Sequence, residues 1–335
     1  MLLAVIAAVA GLALLIWAAD VFVDGAVALA DALDVSPVVI GAVVVGFGTS
    51  VPELLVSGLA AAEGDSALGV GNIVGSNVAN LSLVLASAGI LTVVVATGWT
   101  RRRELPLSLM ATLGFAIAAA DGALSRWEGL VLLVALVVAL GLIMGTSRPA
   151  DPDLFPPSVE LRLHSTSVAR ELARAVFGLV LTALGAQLVV WGAGEIADEL
   201  GLSEGFIGFS LVAIGTSLPE LVTAITAARR NEVELVVGNL LGSNIFNSLA
   251  VGSLIALIGP GPIGDDVLTG FGLAMMVVVS LLAGFFLLRT GVGRIQSVVL
   301  LVLWLVAVVG LATSDGDEDP AATSPVVVST AAGDR

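Results

Sequence analysis

Long apolar runs separated by short polar breaks dominate this chain. The runs are about 20 residues long, the length that an α-helix needs to cross a bilayer. The breaks between them are rich in Gly, Pro and charged residues. The short alternating segments typical of an outer-membrane barrel are not the dominant pattern. The pattern therefore predicts an all-α integral membrane protein.

The runs predict ten transmembrane helices in two groups of five. The predicted spans are residues 2–32, 38–62, 67–95, 104–121, 127–145, 168–198, 205–228, 234–258, 267–288 and 295–313. We therefore predict a first five-helix repeat over 1–145, a cytoplasmic linker over 146–167, a second repeat over 168–313 and a disordered acidic tail over 314–335. The first run lacks the positive leader of a signal peptide and is interpreted as a retained span.

The arginines predict the orientation. They concentrate after the third, fifth, seventh and ninth spans and are nearly absent from the opposite loops. Positive residues are retained on the cytoplasmic side. Both termini are therefore predicted to be extracytoplasmic, in a multi-pass protein of the cell membrane. An odd number of spans in each half makes the two halves opposite in orientation.

A sequence repeat supports this division. "GTSVPELLVS" at 48–57 returns as "GTSLPELVTA" at 215–224, and 46–83 aligns with 213–250 without a gap. Most of the identical positions are Gly, Pro or polar, whereas chance similarity of apolar helices would match Leu, Val and Ala. Inverted repeats with helix-breaking segments at matched positions indicate a transporter with a midplane site.

The repeated residues predict a cation site. Glu53 and Glu220 lie about halfway along their spans, where an ionisable group is costly unless paired, hydrated or bound to a cation. Pro52 and Pro219 lack an N–H group and free backbone carbonyls in the preceding turn. Further oxygens come from the hydroxyls and amides of Thr49, Ser50, Thr216, Ser217, Asn77, Asn80, Asn244 and Asn247.

The available ligands favour a hard cation. The chain has no cysteine, and its single histidine, His164, lies in the predicted linker, so a soft or imidazole-rich metal site is not expected. Calcium takes six to eight oxygen ligands, and two glutamates would balance its charge. Sodium accepts the same oxygens. "GNIVG" at 71–75 and "GNLLG" at 238–242 predict close packing of spans three and eight against two and seven.

These two motifs resemble the alpha-repeats of the calcium/cation antiporter superfamily, and are most similar to those of prokaryotic sodium/calcium exchangers. The resemblance implies central calcium ligands at Glu53 and Glu220, with backbone carbonyls of Thr49 and Thr216. It implies flanking sodium sites and a central amide pair, formed by Ser50, Ser217, Ser76, Ser243, Gly46, Ala213, Asn80 and Asn247.

The resemblance implies an antiporter that extrudes calcium in exchange for sodium by alternating access, with spans one and six sliding past the others. Calcium and sodium would be the transported ions, with no cofactor and no nucleic-acid partner, and a monomer is the simplest assembly. No P-loop, HExxH or phosphorylated-aspartate motif indicates an enzyme. Some family members carry an aspartate at the position of Asn247, so a proton/calcium exchanger remains an alternative, as does a passive cation channel.

Overall fold

The computed structural model describes residues 2–33, 35–96, 98–144, 167–199 and 217–314. Helices make up nearly all of this part of the chain, which confirms the predicted helical class. In chain order they are α1 Leu2–Leu33, α2 Pro37–Thr49, α3 Val51–Glu63, α4 Ser66–Leu91, α5 Gly98–Arg102, α6 Glu104–Ala119, α7 Arg126–Met144, α8 Val168–Glu199, α9 Leu218–Arg229, α10 Val233–Ile258, α11 Leu268–Arg289 and α12 Arg294–Ser314.

Seven helices within the described residues are long and apolar enough to cross a membrane: α1, α4, α7, α8, α10, α11 and α12. α2 and α3 meet the same criterion as a pair that is bent by 42°. α6 and α9 have 16 and 12 residues. α9 covers the second half of the predicted seventh span, 205–228. The first part of that span falls within residues 200–216, which lie outside the described residues. The linker and nearly all of the predicted tail lie outside them too.

The third span ends earlier than predicted. α4 ends at Leu91, so the predicted end at residue 95 was wrong. The next residues, Thr92 to Val95, are β-branched and favour extended backbone. Val94 pairs with Val292 in an antiparallel bridge, with N to O distances of 3.0 and 2.7 Å. A second short pairing joins β1 Ala123–Leu124 to β2 Gly261–Pro262.

α1 and α8 form a closely packed antiparallel pair. Each has 32 residues, and these are the two spans predicted to be longest. Gly25 lies against Ala175, Gly178 against Phe22 and Gly185 against Leu15. A methyl group on Gly25 would lie 2.6 Å from the backbone nitrogen of Ala175. Such small residues let two backbones approach without intervening side chains.

α4 and α10 form the centre of the helix bundle. In each, 78% of the most apolar 18-residue stretch is buried, whereas the same share is 28% in α1, 22% in α7 and 17% in α12. The outer helices expose large apolar side chains such as Trp17, Val134 and Ile295, as expected for surfaces that contact lipid. The polar residues of both repeats thus lie in the protein interior.

Candidate ion-binding site

The two repeated motifs begin a helix in the same way. Ser50 and Ser217 leave the helical conformation with nearly identical backbone angles, φ −85° and ψ 1° at Ser50 and φ −89° and ψ 2° at Ser217. Pro52 and Pro219 follow within the first two residues of α3 and α9, where a missing N–H group costs no helical hydrogen bond. Each of these helices therefore begins with a glutamate in its first turn.

Glu53 and Glu220 are those two glutamates, and both are buried, with 1% and 0% of their surface exposed. They are close enough for the charge of Glu220 to act on Glu53. Ser76 donates a hydrogen bond to Glu53 Oε1 over 3.4 Å. Glu53 Oε2 and both carboxylate oxygens of Glu220 have no hydrogen-bond partner in the described part of the chain.

The helix breaks offset only part of the cost of burying two carboxylates. A helix N-terminus stabilises a nearby anion by about 0.3–1 kcal/mol, and by up to about 2 kcal/mol when partly buried. Removing an ion from water costs several kcal/mol even after the protein relaxes. The ion pairs seen for arginines of the described chain involve acidic residues other than Glu53 and Glu220, among them Asp20, Asp24, Glu104 and Glu171. A bound cation would supply the missing positive charge.

A second group of oxygens lies where α2 meets α10. The Thr49 hydroxyl donates to the Val45 carbonyl over 3.0 Å and lies 3.2 Å from Ser243 Oγ. Ser243 Oγ lies 3.3 Å from the Gly46 carbonyl oxygen and 3.5 Å from Asn239 Oδ1. Thr49 also lies near the Glu220 carboxyl, but its single hydroxyl proton is used on Val45.

Glycine residues allow the backbones of α2 and α10 to approach each other closely. A methyl group on Gly46 would lie 2.8 Å from the backbone nitrogen of Ser243, and one on Gly242 would overlap the backbone of Ala42. Gly238 packs in the same way on Val38. The predicted packing of the "GNLLG" motif on span two is therefore confirmed. The residues that align with this part of span two in the other repeat are within 200–216, outside the described residues, so the predicted packing of "GNIVG" stays a prediction.

The asparagine pair lies in π-helical segments of α4 and α10. Asn80 is the first residue of the segment Asn80–Val84, and Asn247 is the second of Phe246–Val251. Asn80 Nδ2 donates to Asn244 Oδ1 over 3.1 Å, and its own Oδ1 has no partner among the described residues. Oδ1 and Nδ2 of Asn247 also have no hydrogen-bond partner among the described residues. Both asparagines are buried.

The structure thus brings part of the predicted set into contact. Glu53 meets Ser76, and Gly46, Thr49 and Ser243 meet one another. Ser50 and Ser217 are buried beside the breaks, with hydroxyls that have no partner in the described chain. Thr216 and Ala213 lie outside the described residues.

Two further asparagines contact the predicted ligands: Asn239, which was not predicted, and Asn244, which was predicted only as a source of an amide oxygen. Asn239 contacts the Thr49 and Ser243 hydroxyls, and Asn244 holds Asn80. The identity of Asn239 with Asn72 in the aligned repeats was the sequence signal that could have found it.

The donor set is one of neutral oxygens around two carboxylates. No group of three or more His, Cys, Asp or Glu side chains that could hold a metal occurs in the described residues. Calcium and sodium accept hydroxyl, carbonyl and amide oxygens beside carboxylates, whereas transition metals favour nitrogen and sulfur. The arrangement is therefore suited to a hard cation.

Sequence comparison decides the family. The profile of the family described as "Sodium/calcium exchanger protein" matches residues 3–145 and again residues 171–313. The chain belongs to the sodium/calcium exchanger family. This exchanger is 37% identical over 312 residues to the putative antiporter CaxA of Alkalimonas amylolytica, covering 91% of this chain and 97% of that protein.

Two further relatives carry the exchanger name. The sodium/calcium exchanger MaX1 of Methanosarcina acetivorans is 30% identical over 338 residues, with 90% of this chain and 96% of that protein covered. The sodium-calcium exchanger NCX_Mj, in a structure soaked with 2.5 mM Na+ and 0.1 mM Ca2+, matches with a TM-score of 0.80 and 32% identity. That match covers 93% of this chain and 99% of the other. Sodium/calcium exchangers use these two ions as transported substrates, and the exchanger is thus a cation antiporter and not an enzyme.

Proposed function

We propose that this exchanger extrudes calcium from the cell as sodium flows inward, through one central site that opens to each side of the membrane in turn. Glu53 and Glu220 carry the proposal, because their buried carboxylates lack a cationic partner among the described side chains. One calcium ion, or two sodium ions, would balance the two charges. The two ions would therefore compete for the same oxygens, and competition at a shared site is what couples their movements.

The proposed ligands are those that the sequence motifs predict. Glu53 and Glu220 bind calcium directly, helped by backbone carbonyls at Thr49 and Thr216. The flanking sodium ligands are Ser50, Ser217, Ser76, Ser243 and the backbone oxygens of Gly46 and Ala213, and the central amides are Asn80 and Asn247. The contacts of Ser76 with Glu53 and of Ser243 with Thr49 support this grouping.

The proposed moving part is the α1–α8 pair. The two helices pack closely on each other, whereas α2, α4 and α10 form the buried centre that carries the site. In this proposal ten spans form two inverted five-helix repeats, 1–145 and 168–313, joined by a cytoplasmic linker over 146–167. The protein acts as a monomer in the cell membrane with both termini outside.

The test is calcium uptake into proteoliposomes. Vesicles loaded with sodium are diluted into sodium-free buffer that contains radiolabelled calcium, with potassium-loaded vesicles and an imposed pH gradient as controls. The proposal expects uptake that requires internal sodium and is inhibited by external sodium. Equal uptake by potassium-loaded vesicles, with no counter-ion needed, would instead indicate a passive channel.

A proton-coupled exchanger is the second candidate. Asn80 and Asn247 are both amides, so the described part of the site has two carboxylates to balance. Protonation of Glu53 and Glu220 could then release calcium without sodium. Uptake driven by the pH gradient and indifferent to sodium would favour this candidate and keep the same site.

A further inference from the structure

We infer that Asn244 is a positioning residue, which holds the amide of Asn80 so that its oxygen stays available to the transported cation. The inference rests on the proposed role of Asn80 as a ligand. Asn244 belongs to α10 and Asn80 to α4, and both side chains are buried, with 0% and 1% exposed. The sequence motifs offered the Asn244 amide as a possible source of an oxygen for the ion, and the family match gives this residue no positioning role.

The orientation of the Asn80 amide follows from a fixed backbone acceptor, the carbonyl oxygen of Asn77. Asn244 Nδ2 donates to the Asn77 carbonyl oxygen over 3.4 Å. The reversed amide would place two oxygens against each other, so Asn244 keeps its own Oδ1 for the other contact. That Oδ1 accepts from Asn80 Nδ2 at 3.1 Å. Asn80 Oδ1 is therefore the free end, and it has no partner in the described chain.

The aligned residue in the other repeat makes a different set of contacts. Asn77 donates from Nδ2 to Ser248 Oγ over 2.9 Å and to Met276 Sδ over 3.4 Å. It has no hydrogen bond to Asn247, whose two polar side-chain atoms have no partner among the described residues. The two amides are thus not equivalent: Asn80 is held, and Asn247 can present either its oxygen or its NH2 group.

This difference has a consequence for binding. A cation is attracted by an amide oxygen and repelled by the amide NH2 group, so an unheld amide must be ordered when the ion binds. Asn244 removes that cost at Asn80. Ordering a side chain costs conformational entropy, and the net contribution of one hydrogen bond is of comparable size. The effect of Asn244 should act through Asn80 and vanish when Asn80 is removed.

The test is a pair of double-mutant cycles on the full chain in detergent, read out as calcium affinity by titration calorimetry. The first cycle combines Asn244→Ala with Asn80→Ala, and the second combines the repeat equivalents Asn77→Ala and Asn247→Ala. Asn244→Ala alone should weaken calcium binding about fivefold, the factor that one hydrogen bond contributes. It should have no further effect in the Asn80→Ala background, whereas the second cycle should be additive.

The readout separates positioning from a loss of packing, because a general loosening of α4 against α10 would weaken binding whether or not Asn80 is present. Equal effects of Asn244→Ala in both backgrounds would overturn the inference. If Asn244→Ala does not fold, Asn244→Ser replaces it in the same cycle. Equilibrium binding needs no sodium exchange. An additive first cycle in a protein that binds calcium therefore refutes the positioning role alone, while absent calcium binding by the unaltered chain refutes the proposed function.

Discussion

At the scale of single residues, the site is arranged for binding at the expense of stability. Glu53 and Glu220 lie close together in the buried centre, and most of their carboxylate oxygens have no partner in the described residues. A charge buried in this way destabilises the ion-free protein. Binding sites commonly keep such unfavourable groups because the ligand requires them.

Replacing either glutamate by glutamine should therefore change affinity and stability in opposite directions. We expect Glu53→Gln or Glu220→Gln to weaken calcium binding by about a hundredfold to several thousandfold, since removing one partner of a buried charge pair costs about 3–5 kcal/mol. The same change should raise the melting temperature measured in chelator without sodium, because a buried negative charge is lost. Glu63→Gln, at the exposed end of α3, is the control and should alter neither quantity. A lower melting temperature in both variants would contradict this account.

At the scale of the helices, close backbone contact positions the ligands. Gly46 and Gly242 let α2 reach α10, which places the Thr49 hydroxyl 3.2 Å from Ser243 Oγ. A core interface of this kind has no flexible side chain that could move aside. Added volume must therefore separate the two backbones or distort them.

Gly242→Ala should disrupt this contact. The new methyl group would overlap the Ala42 backbone, so we expect a loss of stability of about 1–3 kcal/mol and a strong loss of sodium-dependent calcium uptake. Gly141→Ala in α7 is the matched control, because no described atom lies within 4 Å of its added methyl group. Alanine is the better helix former. The control should be neutral or stabilising in a thermal-shift assay, and equal damage by both changes would argue against a contact-specific effect.

The sequence motifs predicted the helix breaks and the glycine contact because proline and glycine act locally and can be read directly. The π-helical segments at Asn80 and Asn247 were not predicted, since a widened turn depends on tertiary contacts rather than on composition. The repeats also suggested equivalent roles for Ser76 and Ser243. They differ among the described residues, because Ser76 bonds Glu53, whereas neither carboxylate oxygen of Glu220 accepts a hydrogen bond from Ser243. Identical residues in two copies meet different neighbours, and a sequence alignment does not contain that information.

At the scale of the whole molecule, an ion-pair cluster joins the α1–α8 pair to α9, the helix that carries Glu220. Arg230, directly after α9, pairs with Asp24 and, over 2.6 Å, with Asp20 on α1. Arg174 of α8 pairs with Asp24 over 2.8 Å. These side chains are 34–50% exposed, so water and salt screen the pairs. Each pair contributes about 0–1 kcal/mol, enough to bias an equilibrium between two arrangements without locking one of them.

Arg230→Gln should therefore change the rate of exchange and not the affinity for calcium. The cluster lies at the opposite end of α9 from Glu220, and the proposed transport cycle requires the α1–α8 pair to move past this helix. We expect a rise of about two- to fivefold in maximal sodium-dependent calcium uptake, with half-saturation unchanged. The difference should shrink at about 0.5 M choline chloride, where exposed ion pairs are screened. Arg229→Gln is the control, since the structure gives this neighbouring exposed arginine no ion pair within the described residues. A matching effect of Arg229→Gln, or a shift in half-saturation, would mean that the cluster does not restrain the moving helices in this way.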